Sequence, residues 1–219
     1  MRIRWMTAVA LAASFALPAL GADNLDPKLR SAAEQAIGRG VQFLQTHQGA
    51  DGSFSKSPGI TGLAVRGILE APPAAAAAGK AASQRGLDYL VKHERADGAI
   101  TEGKDFAGYN TSLAMGALAA AKDSKYRAAL DKGQAFLKKH QADEGENIQP
   151  SNRDYGGIGY GDDEPRPDMS NTFIALQALR ASSLDPKDPV WEKARKFISR
   201  SQNRTESNDQ KGWVGNDGG

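Results

Sequence analysis

The densest group of chemistry-bearing side chains lies in the run Arg153-Asp154-Tyr155-Gly156-Gly157-Ile158-Gly159-Tyr160-Gly161-Asp162-Asp163-Glu164-Pro165-Arg166-Pro167-Asp168. Three consecutive carboxylates, Asp162, Asp163 and Glu164, could supply a general acid or oxygen ligands for calcium. In this loop Glu164 and Asp168 are the candidate catalytic residues, and Tyr160, Asp162 and Asp163 the candidate ligand-binding residues. The competing reading is a solvated acidic turn paired with Arg153 and Arg166, with Asp168 or Ser170 capping the helix that follows. The glycines lack the spacing and the strand context of a phosphate-cradling loop. The other candidate donors are three histidines, His47, His93 and His140. With no cysteine in the chain there is no thiolate nucleophile, no disulfide and no thiolate metal site.

The elements that must position these groups are repeated. Arg39-Gly40-Val41-Gln42-Phe43-Leu44-Gln45-Thr46-His47-Gln48, followed by Asp51-Gly52-Ser53-Phe54, recurs 46 residues later as Arg85 to Glu94 with Asp97-Gly98-Ala99-Ile100. A third copy, Lys132 to Gln141, follows after 47 residues, and a degenerate fourth runs from Lys193 to Gln202 and reaches Gly212-Trp213. Self-similarity at this period marks stacked supersecondary units. The histidines hold one repeat position, in the last turn of equivalent helices, where an imidazole donates to open carbonyls and suits the helix dipole. Equivalent positions lie about one repeat apart, so the three are not expected to converge on an ion, and no metal site or other cofactor is expected.

Each unit reads as a helical hairpin. Asp26-Pro27 starts a helix that runs to about His47, and Asp188-Pro189 starts one that runs to about Gln202. Pro73 and the alanine run after it lead into a single helix ending near His93, and another helix spans about Ser124 to His140. The second helix of each pair is announced by Thr61, Thr111 or Thr172, with apolar residues two and seven positions on. A long glycine-rich loop runs from Gly145 to Pro167, and the stretch from Arg153 to Asp168 is an insertion in this turn, where binding residues are favoured on a rigid scaffold. Strand signals are nearly absent.

Residues 1–21 read as a secretory signal peptide: Arg2 and Arg4 precede the apolar run Trp5 to Leu17, and Ala19-Leu20-Gly21 offers a cleavage site. The run is shorter than the roughly 20 residues that span a bilayer. Residues 22–219 then form one repeat domain, secreted or periplasmic, with 26 basic and 26 acidic side chains. That balance gives no electrostatic footprint for nucleic acid, and no membrane span is expected after the leader. The last residues, Gly218-Gly219, fall in mid-repeat.

The basic residue and glycine, the aromatic three positions on, the Gln or Glu five further, and the Asp-Gly-x-aromatic turn resemble the QW-type repeat of squalene-hopene cyclases and protein prenyltransferases. The resemblance covers about residues 27–219 and implies an all-α fold, an α/α toroid of two concentric helix rings, here incomplete at about three and a half hairpins. It also implies where the chemistry of those families would sit. Asp168-Met169-Ser170-Asn171-Thr172 aligns with the cyclase motif Asp-x-Asp-Asp-Thr, but Ser170 and Asn171 replace the second and third carboxylates, and neither can protonate an alkene. The prenyltransferase zinc site needs a cysteine that this chain lacks. Aromatic residues, at 7%, are few for a cavity that must stabilise carbocations.

The reading that follows is a non-catalytic module that binds an apolar or isoprenoid ligand or a protein partner. The alternatives are a divergent cyclase-like enzyme, an enzyme acting on secreted polysaccharide through the 162–168 loop, and a structural repeat in a larger assembly.

Overall fold

The computed structural model describes residues 26–104, 106–161, 164–212 and 214–215, with Glu164 and Pro165 described by their backbone alone. The expected leader, Asp162, Asp163 and Trp213 lie outside the described residues.

Helix α1 (Pro27–His47) opens on Asp26, whose Oδ1 accepts from the Lys28 N–H at 2.7 Å, with proline at the first helical position. Ser57 caps α2 (Pro58–Leu69) and Asp188 caps α8 (Pro189–Arg200) in the same way. Between them come α3 (Pro73–Ala78), α4 (Lys80–Lys92), α5 (Ala107–Ala120), α6 (Arg127–Lys139) and α7 (Met169–Ala181). The single helix expected over 73–93 is divided at Gly79, where a side chain would collide with Ile68 Cγ2 of α2. A 3₁₀ turn over Ser124–Tyr126 precedes α6.

The helices form two layers. In one, α2, α5 and α7 lie side by side, with α5 in the middle. In the other, α4 packs on α2, α6 on α5 and α8 on α7. Gly62 allows the closest approach within the first layer, since a Cβ there would stand 2.7 Å from the Leu113 carbonyl. The core fills the space between layers with fully buried Val65, Ile68, Leu90, Met115, Leu118, Leu137 and Leu179. Being covered by neighbours on both sides, α5 is apolar almost all round, as a helix in the middle of a row must be.

Strand signals were nearly absent from the sequence, yet the insertion carries a short antiparallel pair, β1 (Gly159–Gly161) and β2 (Glu164–Pro167), with Gly159 opposite Pro167 and Gly161 opposite Glu164. Strands of three and four residues, built of Gly, Tyr, Pro and charged residues, are too short to show an alternating pattern.

Candidate functional site

The polar residues that recur across the first three repeats fasten them. His47, His93 and His140 each direct Nδ1 at the backbone carbonyl four residues back, of Phe43, Tyr89 and Phe136, at 2.8, 2.7 and 2.9 Å. A carbonyl only accepts, so Nδ1 carries the proton in all three. Each ring also lies against the aromatic that supplies the carbonyl, stacked on Phe43 and tilted against Tyr89 and Phe136, with centroids 3.9, 4.0 and 4.2 Å apart.

Thr61, Thr111 and Thr172 are fully buried, and each Oγ1 accepts from a backbone N–H of the preceding turn: Phe54 at 2.8 Å, Ile100 at 2.9 Å and Ile158 at 2.9 Å. The threonine thus latches the turn onto the start of the helix that follows, α2, α5 or α7. Gln48 and Gln141 tie each turn to the next repeat. Gln48 Nε2 donates to the carbonyls of Gly52 and Ala82, both at 2.9 Å, and Gln141 Nε2 to those of Gly156 and Val190, at 2.9 and 3.0 Å. Glu94 has no amide to donate at this position and instead receives Lys132 Nζ at 2.5 Å.

This pattern locates the third turn, which is Gly156-Gly157-Ile158. Gly52, Gly98 and Gly156 share φ near +90°, and a side chain at each would collide with the carbonyl of Arg85, Lys132 or Lys193 in the following repeat. The sequence insertion is therefore two pieces, 142–155 ahead of the turn and the β1–β2 hairpin after it.

Helix α8 holds the first piece. Lys193 Nζ pairs with Asp143 at 2.7 Å and Glu144 at 3.1 Å, while the Tyr155 hydroxyl donates to Glu144 at 2.9 Å. The Arg200 side chain is 3% exposed and spends its donors on the carbonyls of Pro150 and Asn152, both at 2.6 Å, and on the Asp209 carboxylate at 2.6 and 2.7 Å. The Arg200 guanidinium holds the Asp209 carboxyl down to about 2.

Between the two pieces lies a cavity of ≈ 450 Å³ with a predominantly apolar surface. Ala142, Ile148, Gly159, Gly161 and Pro167 form its walls, and His140, Glu146, Asp154 and Arg166 supply its polar groups. Desolvation, with Asp143 next, pushes the Glu146 carboxyl above its ordinary value against the pull of His140 and Lys139. Asp154 pairs with Arg153 at 3.5 Å, and Arg166 lies exposed at the cavity edge. Among those residues no cluster of His, Asp and Glu is arranged to hold a metal ion.

The five sequence candidates fare differently. Asp168 caps α7: Oδ1 accepts from the Asn171 N–H at 2.8 Å and Oδ2 from Asn171 Nδ2 at 2.5 Å. Tyr160, in β1, is half buried with its ring edge-on to Phe106 at 5.2 Å and 6.1 Å from Tyr109. Glu164 opens β2, paired through its backbone with Gly161. Asp162 and Asp163 lie outside the described residues. Sequence reasoning missed Glu146, Ile148 and the two α8 anchors, Lys193 and Arg200. A signal existed for Lys193 alone, which stands at the repeat's basic position. No helix among the described residues is long and apolar enough to cross a membrane. No protein-family model, curated protein or solved structure matches the chain.

Proposed function

We propose that this chain is a non-catalytic binding module whose ligand is apolar with an anionic end, as an isoprenoid acid would be, and whose site is the cavity under the 142–167 insertion. The observation that carries the reading is the cavity itself: ≈ 450 Å³, walled by Ala142, Ile148 and Pro167, with Arg166 and His140 among its polar groups beside Glu146 and Asp154. That volume falls within the range of about 300–1,000 Å³ typical of small-molecule sites, and a few polar groups on apolar walls are their usual composition. Asp168 supports the binding reading over the catalytic one, because both of its oxygens are occupied in capping α7. We read the two layers as an arc of an α/α toroid of the cyclase and prenyltransferase kind, with α2, α5 and α7 in its inner ring. The support for this is the side-by-side row of threonine-headed helices covered by a second row. The module acts outside the cytoplasm once the leader is removed.

The test uses 8-anilinonaphthalene-1-sulfonate, which joins an apolar body to one negative charge. The expected result is saturable fluorescence enhancement at one site per chain, lost in Ile148→Trp, which fills the cavity, and weakened about tenfold in Arg166→Gln, the worth of one charge-assisted hydrogen bond. Equal enhancement in wild type and both variants would place the dye elsewhere and sink the reading.

A further inference from the structure

Beside the cavity lies a second space, a groove of ≈ 300 Å³, and the two adjoin because Asp154, Arg166 and Pro167 line both. Their chemistry differs. The cavity surface is mostly apolar, whereas arginines from three separate elements line the groove: Arg153 from the first piece of the insertion, Arg166 from β2 and Arg200 from α8. Three guanidiniums gathered in one space repel one another, and none can shed its proton. Asp154 is the only carboxylate among the described residues that line the groove, and Phe197 supplies an apolar side.

The three arginines have different tasks. Arg200 is buried and its donors hold Pro150, Asn152 and Asp209, so it fixes the groove rather than reaching into it. Arg153 meets Asp154 only at 3.5 Å, beyond the length of a good hydrogen bond, and its side chain is 52% exposed. Arg166 is exposed as well. Both are therefore within reach of a ligand in the groove. Glu146 lines the cavity and not the groove, so an anion is repelled less in the groove than beside the apolar walls. A carboxylate offers two oxygens, which one guanidinium fork satisfies. Two guanidiniums carried by separate segments suit a head with three acceptor oxygens, such as a phosphate or sulfate monoester.

We propose that this groove is the head-group subsite of the ligand site, in which Arg153 and Arg166 hold the tetrahedral oxyanion of a phosphate or sulfate monoester whose apolar body lies in the cavity. The proposal rests on the cavity reading above, and its test separates the two. Calorimetry of the full chain compares octanol, octanoate, octyl sulfate and octyl phosphate, which share one tail. Octanol should bind weakly, and the sulfate or phosphate about tenfold or more tighter than octanoate, the worth of one further charge-assisted hydrogen bond. Whichever of the two binds tighter names the head. Arg153→Gln should weaken that ester about tenfold and leave octanol unchanged, with the helical circular dichroism intact because Arg153 is exposed. Inorganic phosphate at constant ionic strength should compete with octyl phosphate and not with octanol. Octanol binding combined with esters no tighter than octanoate, or with an Arg153→Gln variant equal to wild type, overturns the subsite and leaves the cavity reading standing. No binding by any of the four overturns both.

Discussion

The threonine latch offers the sharpest test of how these repeats are held together. Replacing Thr111 by valine keeps the shape of the side chain and removes only its hydroxyl, so no cavity forms. The Ile100 N–H, which donates to Thr111 Oγ1 at 2.9 Å, then loses its acceptor in a place where Ile100 and Thr111 are both 0% exposed. Water cannot replace the lost partner, and an unsatisfied buried donor costs about 1–3 kcal/mol. For a chain of this size each kcal/mol lowers the melting temperature by about 2–4 °C, so the variant should melt roughly 2–12 °C below wild type. Thermal and urea unfolding followed by circular dichroism read the change. Thr111→Ser separates the two parts of the side chain: it retains the acceptor and loses one buried methyl, at about 1 kcal/mol. A Thr111→Val protein that melts within about 1 °C of wild type would refute the latch, since even the smallest expected cost exceeds that shift.

Two further outcomes follow from the turn and from the α8 anchor. Gly98→Ala should destabilise by about 1–3 kcal/mol through its left-handed backbone alone, and by more through the collision with the Lys132 carbonyl, whereas Gly38→Ala, in open space within α1, should stabilise by about 0.5–1 kcal/mol; urea midpoints of the two variants check the opposite signs. The Asp209 carboxyl should titrate at about 2 by carbon-detected NMR and return toward its ordinary value in Arg200→Met. Its folded value lies below the unfolded one of about 3.9, so the contact contributes stability above about pH 4 and loses it as pH falls toward 2. Asp209 is 52% exposed, and solvent screening keeps that contribution small.

Local features were legible in the sequence and non-local ones were not. The histidines could be assigned as caps from their recurrence in the last turn of three helices, because the carbonyl each one meets is only four residues away. The equivalence of Thr61, Thr111 and Thr172 was visible, but their task was not. Their N–H partners stand 7, 11 and 14 residues upstream, and loops of unequal length hide a constant geometry. The third turn was concealed for the same reason: Gly52 follows Gln48 by four residues, whereas Gly156 follows Gln141 by fifteen. The alanine run carries helix propensity through Gly79, and only the nearness of Ile68 shows why the helix divides there. In the candidate site, the acidic run drew attention to the right loop by charge. The cavity walls, Ala142, Ile148 and Pro167, have no period and no shared chemistry, so nothing short of the folded chain brings them together.

The anchoring of the insertion separates scaffold from site. In the first two repeats the turn glycine follows its glutamine or glutamate by four residues. The third repeat keeps the turn glycine, the glutamine staple and the threonine latch, so its extra residues are added without disturbing the stack. Those residues cannot order themselves by a core of their own, since Ile148 is the only large aliphatic side chain between Ala142 and Tyr155. Their order comes from the next repeat, through the Lys193 pair and the four hydrogen bonds of Arg200 to Pro150, Asn152 and Asp209. Arg200 does not line the cavity. It is a positioning residue, and its loss should abolish dye binding while the helical stack, fastened by its own threonines, histidines and glutamines, stays folded.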